Sequence, residues 1–489
     1  MQSRKDQVQA HMFVMGRLTG GMLRQDLDAP DTPTGRTNRG LAWGIGLAVV
    51  LVLGFLLYGL ISPAGTKSWR TSNALIVQKE TGTRYLYLDG VLRPVRNYAS
   101  ARLIAEKKPN TVTVSAASLR GEPQGTPVGI PGAPDALPAT RDLERGAWQI
   151  CADEPRRTGP DGTGRQTRTS LRLGAPADGT APGRERAVLV RADDDTRYLL
   201  WGDQRLRIGG NGALQALGYS GTAPVPVSAP FLNSLPAGTD LAAPEVAGRG
   251  TPSGRIGAAD ARVGQVFRLE SPGATDQYFL LEQAGLRPVG ALAAALVLGD
   301  GRTASQAYPG ARPTALPLTA GELTRRQAPA GRTAQDPASW PDRTPRLHPV
   351  ASGTALCARI QPEATTPRVR LALVPATQGR QTPPARGPEI APACFPVDAI
   401  TVRPGHGALA VALGAGGGVR GATTYLVTDV GVKYRIGDEA AAKRLGLSGA
   451  RAQAVPSRLL DMLPTGPELS VGAATGAMDR SNSANRPCG

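Results

Sequence analysis

The sequence contains few of the residues from which active sites are usually built. Its 489 residues include three histidines, four cysteines and only 4% aromatics. His11, His348 and His406 lie far apart in the chain, and neither H-E-x-x-H nor G-x-S-x-G is present. We therefore predict no catalytic, cofactor-binding or metal-binding residues. A Ser–His–Asp triad assembled from distant segments remains the alternative.

Acidic residues are scarce as well, since 39 Asp and Glu stand against 56 Lys and Arg, for a net charge of +17. A charge of this size is typical of proteins that bind nucleic acid. Here the arginines are scattered, and few aromatic side chains accompany them as stacking platforms for bases. We predict no nucleic-acid partner. A solvated basic surface, or one that faces an anionic envelope polymer or lipid headgroup, accounts for the charge.

Two glycine-rich strings imitate nucleotide-binding motifs. Residues 59–68 resemble a phosphate-binding loop, but Thr66 separates Gly65 from Lys67 and the string begins inside an apolar segment. A phosphate-binding loop needs its backbone amides at the start of a helix that follows a strand. Residues 416–421 read G-x-G-x-x-G, but a strand-like segment follows them. This second string is typical of a hairpin loop.

One long apolar run is present. Residues 41–61 (LAWGIGLAVVLVLGFLLYGLI) carry no charge and, as a helix, would rise about 30 Å, enough to cross a bilayer. Polar residues precede the run and no Ala-x-Ala site follows it directly, which favours an uncleaved anchor over a signal peptide. More Lys and Arg precede the run than directly follow it. The positive-inside rule therefore predicts a single-pass membrane protein with a cytoplasmic N-terminus and an extracytoplasmic (periplasmic) C-terminal region.

The four cysteines suit that placement, because an even number outside the cytoplasm favours disulfides. They are Cys151, Cys357, Cys394 and Cys488, and none lies in a Cys-x-x-Cys pair. Three pairings are possible, and spacing alone does not decide among them. The similar strand-like strings AWQICAD and TALCARI favour Cys151 with Cys357. Elimination then leaves Cys394 with Cys488.

The C-terminal region contains one pattern four times, in residues 74–104, 187–218, 265–299 and 408–446. Each copy has an apolar strand, a loop, a second strand that begins near a tyrosine, a short third strand and an Ala/Leu helix. The second and fourth copies share the tail L-P-x-G-x-[DE]-L, at residues 235–241 and 463–469. The pattern predicts four small β-β-β-α repeats.

The predicted fold class is α+β, with one N-terminal transmembrane helix followed by an extracytoplasmic region of four β-β-β-α repeats around a central β domain. Strand-like runs in the two long inserts are predicted to meet in that central domain. Stretches rich in Pro, Gly, Thr and Arg are predicted to be loops or linkers. These are residues 121–140, 154–183, 321–346 and 378–392.

The predicted boundaries follow from these patterns. They are a cytoplasmic amphipathic segment (1–40), the transmembrane helix (41–61), repeats one to four (62–120, 184–245, 262–325 and 404–474), the central domain (141–153 with 347–403) and a tail (475–489).

The N-terminal segment carries four apolar side chains on one predicted helical stripe, which we call the α1 stripe. Its members are Val8, Met12, Met15 and Met22. Such a stripe usually packs against a partner helix or lies along the membrane surface. Gly16, Gly20 and Gly21 weaken the segment as an isolated helix. Docking onto another protein is therefore our interpretation.

Several strings together resemble EccB, the single-pass core membrane component of the type VII (ESX) secretion systems of actinobacteria. They are RKDQVQAHMFVMGRL, the lone span, SNALIVQKETGTRYLYLDGVLRPVRN, ACFPVDAITVRPGHGALAV and MLPTGPELS. The resemblance implies assembly with EccC-, EccD- and EccE-like membrane subunits, and with other EccB copies through the outer domain. It also implies repeats similar to phage-lysin cell-wall-binding modules, with the cell-wall layer as a further partner.

The predicted function is that of a structural core subunit of a type VII secretion membrane complex, which scaffolds the channel and its periplasmic part. ATP hydrolysis is also attributed to the family that this chain resembles. No complete phosphate-binding loop stands in the sequence, so we predict no enzymatic activity. The competing hypothesis is an envelope-anchored ATPase or hydrolase, or a cell-wall-binding protein.

Overall fold

A computed structural model describes eleven stretches of the chain. They are residues 4–24, 33–61, 69–71, 74–158, 164–176, 179–270, 275–329, 336–362, 367–376, 382–414 and 423–476. The chain divides into two compact units. One unit is Met1–Leu92 with Asn110–Gly125, and the other is Arg93–Pro109 with Thr126–Gly489.

Two helices precede the β-rich region, α1 (Arg4–Arg24) and α2 (Pro33–Ile61). Residues Thr37–Tyr58 of α2 form the one described helical segment that is long and apolar enough to cross a membrane, with a mean hydropathy of 2.4. The helix begins before the predicted residue 41, because a proline such as Pro33 suits the first turn of a helix.

The first repeat builds a four-stranded sheet in the order β3-β2-β1-β4. Its elements are β1 (Ala74–Gln78), β2 (Arg84–Leu88), β3 (Val91–Pro94), α3 (Tyr98–Ile104) and β4 (Asn110–Val114). β1 runs antiparallel to β2 and parallel to β4, so that Ile76 lies between Tyr85 and Val112. A 3₁₀ turn follows at Ala116–Leu119.

The first insert forms two long antiparallel strands, β5 (Ala147–Thr158) and β6 (Gly164–Ala175). These strands occupy most of the predicted linker 154–183 and extend the central domain beyond its predicted end at residue 153, so both predictions are wrong. In β6 the buried Leu171 and Leu173 alternate with Ser170 and Arg172. This alternation is typical of a strand, although the surrounding Gly, Arg and Thr residues give the segment a loop-like composition.

The second repeat has the strand order β10-β7-β8-β9. Its elements are β7 (Arg186–Arg191), β8 (Arg197–Trp201), β9 (Gln204–Arg207), α4 (Asn211–Ala216), β10 (Val225–Pro226) and α5 (Ala229–Asn233). As in the first sheet, the outer strand β10 pairs in parallel with the first strand, β7.

The third repeat has the strand order β15-β14-β13-β16, preceded by a two-stranded hairpin. Its elements are β11 (Pro252–Ile256), β12 (Ala259–Arg262), β13 (Val266–Leu269), β14 (Gln277–Glu282), β15 (Gly285–Val289), α6 (Ala291–Leu298), α7 (Gly301–Gln306), β16 (Leu316–Pro317) and α8 (Ala320–Arg326). The helix α8 lies partly in the predicted linker 321–346. Its start is set by a capping box in which Thr319 and Glu322 bond each other's backbone amides.

The second insert completes the central sheet. Its strands are β17 (Arg346–Leu347), β18 (Thr354–Gln361), β19 (Arg368–Pro375) and β20 (Ala399–Thr401). The strand β17 pairs with β7, whereas the other three join the first insert in a five-stranded sheet of order β19-β18-β5-β6-β20. Two segments that are distant in the chain therefore share one sheet.

The fourth repeat has the strand order β23-β22-β21-β24. Its elements are β21 (Ala408–Leu413), β22 (Thr424–Val427), β23 (Lys433–Arg435), α9 (Glu439–Leu445), β24 (Gln453–Pro456), α10 (Ser457–Leu460) and α11 (Val471–Thr475). The predicted α+β class, with one apolar N-terminal helix before a β-rich region, is confirmed.

The structure adds a fourth strand to the predicted β-β-β-α pattern. In every repeat this strand returns beside the first and parallel to it. A further extended segment runs parallel to the third strand through isolated bridges, at Leu92–Gln124, Arg205–Ala237, Leu286–Gln327 and Lys433–Thr465. In the second and fourth repeats this segment is the shared tail L-P-x-G-x-[DE]-L.

The second and fourth repeats share one core with the central sheet. Trp148 and Ile150 of β5, Val190 of β7 and Ala410 of β21 belong to it, and all four are fully buried. The indole of Trp148 also donates to the Gln453 side chain at 3.0 Å. The repeat helices pack in two groups, α4 with α6 and α3 with α9 and α11.

Candidate interaction surfaces

All four side chains of the α1 stripe are more than half exposed. Val8, Met12, Met15 and Met22 are 57%, 67%, 55% and 81% exposed. Phe13, Val14 and Leu18 of the same helix are exposed too, although they lie outside the predicted stripe. Apolar side chains at this density need a partner or a membrane to cover them. The role of the α1 stripe in docking stays a prediction.

The side chains of the membrane-spanning segment are exposed too. Trp43 and Tyr58, near its two ends, are 80% and 70% exposed, and the leucines and valines between them are all about half exposed or more. Trp and Tyr are typical of both water interfaces of a bilayer. The helix therefore presents a continuous apolar surface with an aromatic ring near each end.

A disulfide joins the two halves of the central sheet. Cys151 of β5 lies directly opposite Cys357 of β18, and their sulfur atoms are bonded. The two residues are separated by 206 positions in the chain, and both are fully buried beside Ala355 and Val374. Among the described residues no cysteine is free. Cys488 lies outside the described residues, so the pairing of Cys394 with Cys488 stays a prediction.

The shared tail is held by a glycine and an ion pair. A Cβ at Gly238 would lie 2.4 Å from the Leu206 side chain, and one at Gly466 would lie 2.2 Å from the Tyr434 ring. Two residues further on, Asp240 pairs with Arg207 at 2.6 Å and Glu468 pairs with Arg435 at 3.6 Å. The glycine of the motif therefore lets the tail lie close to the third strand, and the acidic residue pairs with an arginine of that strand.

Equivalent cations lie over equivalent tyrosines in the second and fourth repeats. Arg205 lies 5.8 Å from the Tyr198 ring centre, and Lys433 lies 5.6 Å from that of Tyr425. The ammonium of Lys433 donates to the Leu460 carbonyl at 2.6 Å and faces Asp461 at 3.6 Å. Burial lowers the pKa of Lys433, although the nearby Asp461 opposes this shift.

Three repeats have a polar groove at the same place, between the start of the second strand and the end of the third. The grooves measure about 560, 460 and 440 Å³ in repeats two, three and four. In the second repeat the lining includes Asp194, Arg197 and Asn211. Such groups can hydrogen-bond a polar ligand, and none of the three grooves contains a histidine or cysteine.

The two histidines of the larger unit contact charged residues. His348 lies 3.1 Å from Arg186, and His406 lies 3.5 Å from Glu144, which also accepts two hydrogen bonds from Arg403. His11 is exposed on α1. Across the described ranges no three His, Cys, Asp or Glu residues gather closely enough to bind a metal ion.

The structure describes only a small part of the two strings that imitate nucleotide-binding motifs. Residues 59–61 form the last turn of α2 and therefore have a helical backbone, whereas 62–68 lie outside the described residues. The G-x-G-x-x-G string at 416–421 also lies outside them.

Comparison with known proteins gives one family over nearly the whole chain. A family model described as "Type VII secretion system ESX-1, transport TM domain B" matches residues 1–482. The chain is 28% identical over 502 residues to the ESX-2 secretion system ATPase EccB2 of Mycobacterium tuberculosis (strain ATCC 25618 / H37Rv), covering 98% of this chain and 95% of that protein. It is 27% identical over 494 residues to the ESX-3 secretion system ATPase EccB3 of Mycolicibacterium smegmatis, with 97% and 90% covered.

Solved structures share the fold. One is the EccB3 dimer from the ESX-3 core complex, with a TM-score of 0.62 and 26% identity over 82% of this chain and 100% of that one. Another is a chain of the intact ESX-5 inner membrane complex, with a TM-score of 0.62 and 22% identity over 97% of this chain and 95% of that one.

Proposed function

The chain belongs to the EccB family of type VII secretion systems, and we propose that it acts as a structural core subunit of such a membrane complex. In this role it scaffolds the channel and its periplasmic part. The observation that carries the proposal is the match over residues 1–482, which includes α1, the apolar helix α2 and all four repeats.

We propose that the N-terminus lies in the cytoplasm and the repeats lie in the periplasm. Arg36 and Arg39 stand directly before the membrane-spanning residues, within an N-terminal segment rich in further basic residues. The disulfide between Cys151 and Cys357 suits an oxidising compartment. Both features favour the same orientation.

Two surfaces are proposed to make the contacts. The α1 stripe docks onto other membrane subunits of the EccC, EccD or EccE type, and the repeats pair with those of another copy. The name of one structural neighbour, an EccB3 dimer, agrees with pairing between copies. The grooves of the repeats are available to a polar ligand such as the cell-wall layer.

The competing activity is ATP hydrolysis, because several relatives carry the word ATPase in their names. Full-length protein incubated with ATP should release no more phosphate than a mock purification from cells without the gene. Turnover that depends on the presence of the chain would favour the ATPase hypothesis.

The scaffold role itself is tested by purification of a tagged chain from detergent-solubilised membranes, followed by mass spectrometry. We expect other membrane subunits of one secretion system to be recovered with it, together with untagged copies of the same chain. Recovery of the tagged chain alone, at a protein level that matches the untagged host, contradicts the proposal.

A further inference from the structure

The sheets of the four repeats differ at one edge. In each repeat the fourth strand forms that edge, beside the first strand. In repeats two and three this strand has only two residues, whereas β4 of the first repeat has five. An edge strand exposes unpaired backbone N–H and C=O groups, with which another strand can pair. The first repeat therefore has the longest edge strand of this kind.

Prolines close the corresponding edges of the other repeats. The N–H groups of Val227 and Leu318, directly after β10 and β16, donate to the first strands of their repeats at 2.9 Å. Because backbone groups alternate in direction along a strand, the preceding residues, Pro226 and Pro317, face outward. Proline has no N–H to offer there, which protects the edge. The edge strand of the fourth repeat also ends in a proline, Pro456, whereas β4 contains none.

Two threonines of β4 direct their backbone groups to the free side. The N–H of Lys79 donates to the Val114 carbonyl at 2.8 Å, so the backbone groups of Val114 and Val112 point toward β1. Those of Thr111 and Thr113 alternate with them and point outward. Among the described residues, no strand pairs with this side of β4. Both threonines are exposed, so a further strand could reach them.

The edge of β4 is complementary to itself. When two copies of β4 run antiparallel about Val112, Thr111 of each copy lies opposite Thr113 of the other. Each of these pairs exchanges both backbone hydrogen bonds. Threonine opposite threonine is also a favourable cross-strand pair. Val112 then lies opposite Val112 of the second copy, in a pair that is not hydrogen-bonded.

The charges around β4 are compatible with this register. Residues 109–119 carry no charged side chain, and Lys107 and Lys108 before the strand would lie opposite alanines of the second copy. Like charges directly opposite each other would destabilise an antiparallel pair, and this register avoids them. A shift that centres the pairing on Thr111 would place Thr113 opposite Pro109, which has no N–H. The pairing about Val112 therefore uses both outward threonines fully.

We propose that β4 pairs antiparallel with β4 of a second copy of this chain and joins the two first repeats in one continuous sheet. The proposal rests on the proposed pairing of repeats between copies, and it names the surface that makes the contact. Val112 packs against the apolar cluster that contains Trp69 and Val114. The pairing therefore also extends this core from one copy to the other.

Cysteine cross-linking in membranes tests the pairing. Cα atoms of a non-hydrogen-bonded pair lie about 4.5 Å apart, which suits a disulfide. Full-length protein with Val112→Cys should therefore form a disulfide-linked dimer under mild oxidation, visible on a non-reducing gel. The control is Ala117→Cys, because Ala117 is exposed in the 3₁₀ turn after β4 and lies away from the centre of the pairing. No dimer from Val112→Cys, or an equal yield from the control, overturns the proposal.

A proline in β4 tests whether the contact depends on the backbone. Thr113→Pro, combined with Val112→Cys, gives β4 the outward proline that β10 and β16 have. Because proline cannot donate to a ladder, the cross-linked fraction should fall by a factor of about five or more. Thr113→Val keeps the N–H and the β-branched shape, so it should leave that fraction unchanged. A cross-link that Thr113→Pro does not weaken contradicts strand pairing, and if this variant does not fold, the Val112→Cys result decides.

Co-purification separates this proposal from the proposed function. If a tagged chain recovers untagged copies from membranes but Val112→Cys gives no cross-link, the copies pair through another surface and the β4 proposal alone fails. A cross-link to a different protein, identified by mass spectrometry, contradicts the second copy as the occupant of this edge. Recovery of no untagged copy contradicts both the β4 proposal and the proposed pairing between copies.

Discussion

In the second and fourth repeats a single glycine decides how closely the last segment packs against the third strand. At Gly466 any side chain would meet the ring of Tyr434, which is itself 3% exposed and cannot move aside easily. Gly238 has the same position in the second repeat, against Leu206. The spacing of the L-P-x-G-x-[DE]-L tail is visible in the sequence, but its partner strand is not, because that contact depends on the fold.

Gly466→Ala should therefore destabilise the protein. Overpacking of a well-filled site typically costs about 1–3 kcal/mol, so Tm should fall by several degrees. Gly221→Ala is the matched control, because a Cβ there meets nothing within 4 Å, and it should leave Tm unchanged. Equal Tm values for the two variants would contradict the packing described for the tail.

Lys433 is a buried cation, and the free-energy cost of burying its charge depends on pH. Burial lowers its folded-state pKa below the ordinary 10.5. Between these two pKa values the unfolded state binds more protons than the folded state, so the stability contributed by this residue rises with pH. Below the folded-state pKa its penalty is constant.

Lys433→Met should reveal this dependence. The variant removes the buried charge, so the stability of the wild type relative to the variant should increase as pH rises from 7 toward 10. Chemical denaturation of both proteins across this range measures the difference. A difference that is constant, or that moves in the opposite direction, contradicts the direction of the pKa shift.

At the scale of elements, the strands with clear alternation were predictable and the others were not. The strings around Cys151 and Cys357 predict β5 and β18 directly. The strand β6 was missed because its apolar residues, Leu171 and Leu173, are surrounded by polar and glycine residues. The strands β10 and β16 are only two residues long, too short for any periodicity. Their pairing with the first strand of each repeat is a tertiary contact.

The disulfides are the element-scale feature that is easiest to test. Loss of the link between Cys151 and Cys357 in a Cys151→Ala and Cys357→Ala variant should cost about 2–5 kcal/mol, because its 206-residue separation makes a long loop. Peptide mapping without reductant should show this link and one between Cys394 and Cys488. Mapping that finds free thiols at Cys151 and Cys357 would contradict the central sheet as described.

At the scale of the whole molecule, the chain combines one membrane-spanning helix with four repeats and a central sheet. The repeats and inserts form contiguous cores, whereas α1 exposes apolar side chains between Val8 and Met22 and α2 exposes them between Leu41 and Tyr58. A protein with this distribution of surface depends on its surroundings, which are lipid for α2 and, as we propose, partner subunits for α1. The helix α1 and the membrane-spanning segment were predictable from the sequence because each depends on local pattern alone.

The orientation of the chain is tested by reporters. An enzyme that is active only outside the cytoplasm should be active when fused after Gly489 and inactive when fused before Met1, since more Lys and Arg precede the span than directly follow it. Activity from the N-terminal fusion alone would reverse the proposed topology.

The most direct test of the scaffold role is the substitution of Met12 and Met15 by Asp. Burial of one such side chain contributes about 1.5–3 kcal/mol, so two charges in the α1 stripe should weaken docking by several kcal/mol. The control replaces Gln7 and Ala10 of the same helix by Asp, because these lie away from the stripe.

Both variants are expressed in the host, and recovery of the complex from membranes is measured beside secretion. We expect the Met12→Asp and Met15→Asp variant to reach wild-type levels in the membrane but to lose both its partners and secretion, while the control keeps both. Full recovery of the complex with normal secretion from the stripe variant would contradict the account.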